Sequence, residues 1–230
     1  MLSPAEWDVV VLSLRVGIVA MVATLPLAFA LAWLLARRDF PGKLLLDALV
    51  HLPLVIPPVV TGWLLLLVFG REGPVGNLLQ QWFGVTLVFS WGGAALAAAV
   101  MGLPLMVRAM RLSIEGVDRR LVHAARALGA SRWRAFWTIS LPLSLPGVVA
   151  GCVLGFARSL GEFGATITFA ANIPGETRTI PLAIYTLLQQ PGGEAAVTRL
   201  ALVSVALSLV ALVASECLLR RQSGGDGHVL

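Results

Sequence analysis

Five stretches of nearly unbroken apolar sequence, 9–35, 44–69, 87–107, 143–165 and 200–219, alternate with short polar connections. Each has the roughly 20 residues that a helix needs to cross about 30 Å of hydrocarbon. A backbone in lipid must satisfy its own hydrogen bonds, so the pattern predicts an all-α integral membrane protein built as a bundle of five transmembrane helices. Two shorter apolar pieces, 165–171 and 180–188, are interrupted by Pro174, Gly175, Glu176, Arg178 and Pro181. They predict a re-entrant or interfacial segment over about 164–191 on the outer side. A sixth span is the alternative, and it would put Arg220 and Arg221 outside.

Between the third and fourth spans the pattern changes. Residues 115–142, EGVDRRLVHAARALGASRWRAFWTISLP, carry too many charges to lie in lipid. Asp118 is placed to cap a helix over 119–128, Gly129 to end it in the left-handed conformation, and Ser131 to cap the next. The expected product is a pair of short helices presented to a soluble partner. Ala124 and Ala125 permit close approach, while Trp133, Phe136 and Trp137 suit the membrane interface.

Composition agrees with the hydropathy pattern. Mean hydropathy is +0.88, and 58% of residues are hydrophobic against 13% charged, where soluble domains carry about a quarter charged. The first span exceeds the roughly 7 to 15 apolar residues of a signal-peptide core and is read as a retained helix. No internal repeat is visible, so residues 1–230 are read as one domain, with a flexible Gly-rich tail at 223–230. Cys152 and Cys217 fall inside spans without metal-ligand spacing, and no metal site is expected.

Lys and Arg residues set the orientation. Arg37, Arg38 and Lys43, the insert, and Arg220 and Arg221 form one group; Arg71, Arg178 and Arg199 lie opposite. The positive-inside rule then places the insert and the C-terminus in the cytoplasm and the N-terminus outside. The net charge of +5 follows from this bias and needs no nucleic-acid partner; membrane lipid surrounds the spans.

Inside the spans, Pro57 and Pro58 are expected to open the second helix toward a central pathway. Arg158 and Glu162 share a helix face and should pair, because an isolated charge at mid-bilayer costs about 2.5 to 3.5 kcal/mol. Gly161 and Gly164 flank them and allow a hinge or close packing. A structural pair and a gating or anion-passing role are both open. Lys43, Asp47 and His51 step by four and suggest local pairs, while Arg15, Arg108 and Arg111 sit where side chains can snorkel.

The spacing A-A-x3-G-x9-I-x-L-P, carried by Ala124, Ala125, Gly129, Ile139, Leu141 and Pro142, resembles the signature loop of the permease subunits of binding-protein-dependent ABC importers. FARSLGEFGAT at 156–166 and NIPGETRTIPLAIYTLLQQPGGE at 172–194 look like molybdate importer permeases in particular. Sulfate permeases are similar around the first stretch and diverge in the second. The resemblance implies a type I importer fold with a cytoplasmic coupling helix, its loop formed by Asp118, His123, Ala124, Ala125, Leu128, Gly129, Ile139, Leu141 and Pro142. His123 departs from the glutamate usual in the family. Also implied are a permease homodimer in the bacterial inner membrane, a cytoplasmic ATPase dimer holding ATP and Mg, and a periplasmic molybdate-binding protein.

This chain is expected to be no enzyme and to carry no cofactor: it has no G-x4-G-K-[ST] motif. The competing readings are a sulfate, thiosulfate or tungstate permease and, from another class, a proton-coupled carrier. The carrier would want acidic residues deep in several spans, and only Glu162 approaches that.

Overall fold

The computed structural model describes residues 2–223. Its first helix, α1 (Pro4–Arg37), opens with a reciprocal cap: the Ser3 hydroxyl accepts from the Glu6 N–H, and the Glu6 carboxylate accepts from the Ser3 N–H. Proline at the first helical position costs no hydrogen bond there. The 34-residue helix continues through Pro26.

At the centre lie α1, α5 (Trp91–Gly116) and α8 (Leu141–Leu160). They pack closely because their facing residues are small. Val16 and Ala20 of α1 share one buried cluster with Ala94, Ala95 and Ala98 of α5. On α8, Gly147, Gly151 and Gly155 recur every four residues and so lie along one face. A β-carbon at Gly147 would come within 2.1 Å of the Ser113 side chain, and one at Gly155 within 2.6 Å of Met106. This glycine stripe brings α8 almost into backbone contact with α5. The end of the core nearest the insert is filled by Ala28, Ala32 and Leu35 with Met106, Met110 and Ile114.

The second apolar window is not one straight helix. It forms α2 (Lys43–Val55) and α3 (Pro58–Phe69), bent by 117°. Proline drives its predecessor out of the helical region, and both Ile56 and Pro57 are extended, with ψ of 148° and 136°. Pro53 lies within α2 without ending it. The loop after α3 contains a further short helix, α4 (Pro74–Phe83), with exposed Trp82 and Phe83.

The other boundaries also move. Ser90 caps α5 by accepting from the Gly93 N–H, and α5 runs to Gly116, so Arg108, Arg111 and Glu115 are helical. The insert forms α6 (Arg119–Ala127) and α7 (Arg132–Ala135). A π-turn over Phe136–Ser140 joins α7 to α8 without a break. Residues 164–191 contain α9 (Gly164–Phe169) and α10 (Ile180–Leu188). The last helix, α11 (Glu194–Ser223), packs on α8 and α10. Beyond Ser223 the expected tail lies outside the described residues, as do the side chains of Cys217, Arg220 and Arg221.

Candidate functional site

The insert follows its sequence signals closely. Asp118 caps α6 by accepting from the Arg120 N–H at 2.8 Å. Gly129 adopts φ +92°, and its N–H donates to the Arg126 carbonyl while the Ala130 N–H donates to Ala125. The left-handed residue thereby satisfies carbonyls that the helix end leaves open. Ser131 then caps α7 by accepting from the Arg134 N–H.

No residue of α6 is buried, and Leu128 at its end is 90% exposed. His123, Ala124 and Gly129 are exposed beside it, with Ala125 half-buried. Leu128 leaves an exposed apolar residue at the tip of an otherwise polar helix. Ile139, Leu141 and Pro142 are not on α6; they lie on the π-turn and the first turn of α8. The expected loop is therefore split into an exposed tip and a stem that continues into a core helix.

Aromatic packing fixes that stem. Phe136 stands edge-on to Trp33 of α1, with centroids 5.0 Å apart, and to Trp137 at 5.3 Å. The neighbouring turn between α1 and α2 is held by Lys43 Nζ donating to Asp39 at 2.9 Å. That hydrogen bond keeps the Asp39 carboxyl below the usual carboxylate range.

A second cluster lies where α8 ends. Arg158 Nη1 is 2.7 Å from Glu162 Oε2, and Glu162 is 2% exposed. Its other oxygen, Oε1, accepts from the Ala165 N–H at 2.8 Å. One carboxylate thus joins the end of α8 to the first turn of α9. The N-terminus of α9 rests on the break between α2 and α3. A β-carbon at Gly164 would lie 2.8 Å from Pro58, and one at Gly62 would lie 2.7 Å from the Ala165 carbonyl. The structure therefore assembles Pro57, Pro58, Arg158, Gly161, Glu162 and Gly164 around one junction.

The expected local pair of Asp47 with His51 forms, while other charged residues are engaged differently from expectation. Asp47 pairs across helices with Arg111 at 3.1 Å as well as with His51, while Lys43 turns to Asp39. Arg111 does not snorkel; it also binds Glu115 at 2.8 Å. The Arg15 guanidinium lies 3.8 Å above the Trp91 ring centre. Sequence reasoning missed the pair between Glu6 and Arg199, 2.7 Å apart, which links the starts of α1 and α11. Among the described residues, no group of three His, Cys, Asp or Glu side chains is placed to hold a metal.

Residues 24–224 match the family described as binding-protein-dependent transport system inner membrane component. The chain belongs to this family of importer permeases. It is 61% identical over 219 residues to the molybdenum transport system permease protein ModB of Escherichia coli (strain K12), covering 95% of this chain and 96% of that one. It is 57% identical over 226 residues to the protein of the same name from Haemophilus influenzae, covering 97% and 99%. The fold resembles that of a bacterial alginate ABC transporter solved in complex with an alginate pentasaccharide-bound periplasmic protein. The TM-score is 0.74 at 19% identity, over 95% of this chain and 80% of the other. Importer permeases of this family are non-catalytic membrane components, and the all-helical bundle described above is their type I architecture.

Proposed function

We propose that this chain is the permease subunit that passes molybdate across the bacterial inner membrane, driven by ATP hydrolysed on a separate subunit. The 61% identity to a molybdenum transport permease, spread over 95% of the chain, carries the reading. The exposed tip of α6 supports a role in force transmission. It would seat in a cytoplasmic ATPase, one copy of which binds ATP and Mg beneath each permease of a homodimer. A periplasmic molybdate-binding protein would deliver the anion from above.

The geometry suits such a relay. A push on α6 reaches α7, passes the π-turn without a flexible loop, and enters α8, which is locked to α5 by the glycine stripe. At its far end α8 holds α9 through Glu162, so that the outer junction moves with it. Rigid-body motion of this unit would alternate the pathway between inward-open and outward-open. The test is ATPase activity and uptake by the complete transporter, reconstituted with its own binding protein. Molybdate is expected to stimulate both far more than sulfate; equal stimulation by sulfate would assign the chain to the sulfate permeases instead.

A further inference from the structure

A cleft of about 820 Å³ lies between the inner end of α1 and the insert. Its apolar wall is aromatic: Phe29, Trp33, Trp133 and Phe136. Its rim is cationic, formed by Arg37, Arg38, Arg119 and Arg132, and no Asp or Glu lines it. Among the described residues, none of these four guanidinium groups takes part in an ion pair. Arg37 donates to the Val117 carbonyl from Nη2, at 3.4 Å, and its Nε is buried without a hydrogen-bond partner. Four cations, none in a contact ion pair although Arg119 lies within electrostatic range of Asp39, surround an aromatic wall and fit an anion that carries hydrocarbon.

The cleft also leads onto the side of the bundle. Ala30 and Leu34, which line it, are exposed, and Leu27 one turn further along α1 is 54% exposed, so an apolar track runs from the cleft along the span. Headgroup-level aromatics beside cations, with apolar surface on one side, match the depth profile of a membrane interface. We infer that this cleft binds an anionic phospholipid of the inner leaflet, with its phosphate among the arginines and an acyl chain along α1. The leaflet assignment rests on the cytoplasmic placement of the insert proposed above. Binding itself does not depend on orientation, so the two can fail separately.

The test uses the complete transporter, permease with ATPase, stripped of lipid in detergent and titrated with phosphatidylglycerol or phosphatidylcholine of identical chains. Bound lipid is counted by native mass spectrometry. Phosphatidylglycerol is expected to be retained at least tenfold more tightly, and inorganic phosphate at equal concentration should not displace it. Replacing exposed Arg38→Gln and Arg132→Gln together, neither of which makes a side-chain hydrogen bond among the described residues, should weaken retention about 30-fold, at roughly 1 kcal/mol per cation. Removing an outer-side charge by Arg71→Gln should not. Equal retention of the two lipids, displacement by phosphate, or unaltered retention by the double variant would overturn the proposal. Loss of the ATPase subunit or of the second permease copy from the double variant, with lipid retention unchanged, would overturn it too by making the cleft a protein contact.

Discussion

Glu162 serves two neighbours at once, and replacement separates those roles. Glu162→Gln leaves the Arg158 charge unmatched; breaking a fully buried pair costs roughly 3 to 5 kcal/mol, and the partial exposure of Arg158 lowers this to about 2 kcal/mol. Thermal unfolding of the purified protein should shift down by several degrees, with impaired uptake. Exchanging the two residues restores the ion pair but not the bond to the Ala165 N–H, so recovery is expected to be partial. Full recovery would show that the bond to α9 contributes nothing. The pair itself was legible because its partners are four residues apart on a helix; the bond to α9 depends on how the chain turns after Gly161. The same limit hid Glu6 and Arg199, which lie 193 positions apart.

Among the elements, the insert was the most legible because its signals are local. Asp118, Gly129 and Ser131 each act on backbone groups within three residues. Gly129→Pro should therefore be severe: it removes the N–H that donates to Arg126 and fixes φ near −65°, where the turn needs +92°. ATP-dependent uptake should be abolished while the protein remains inserted in the membrane, as judged by fractionation and transport assay. Near-normal uptake would argue that α6 transmits no force. The fourth span could not be bounded from hydropathy, since the helix starts at Arg132 in polar sequence and passes through a π-turn. The second span is apolar apart from Asp47 and His51; its adjacent prolines were expected to open it, but the turn of 117° could not be read from hydropathy. Hydropathy reports what a segment can be buried in, not whether its axis stays straight.

For the whole molecule, apolar patterning was enough to give the class and four of the five expected spans as long helices, the second being a bent pair, while the arrangement came from close packing. Alanines and glycines carry that packing, and they stand out little in a chain with 23 glycines. Orientation rests on the distribution of Lys and Arg and is directly testable. In intact cells, a cysteine introduced by His123→Cys should resist a membrane-impermeant maleimide, and one introduced by Asp8→Cys should react, on a background lacking Cys152 and Cys217. The reverse labelling would invert the topology and place the α6 tip where no ATPase can reach it.

The π-turn between α7 and α8 gives this rod a built-in slack of one residue. A helix carrying one widened loop can pass that loop along its length, rotating the part below relative to the part above without unwinding either. If α6 receives an ATPase's stroke as proposed, that stroke need not arrive as translation alone; some of it would emerge as a twist of the stem. Because the glycine stripe on α8 faces α5, even a small twist would change which atoms of the two helices meet, gearing an axial push into a sideways opening.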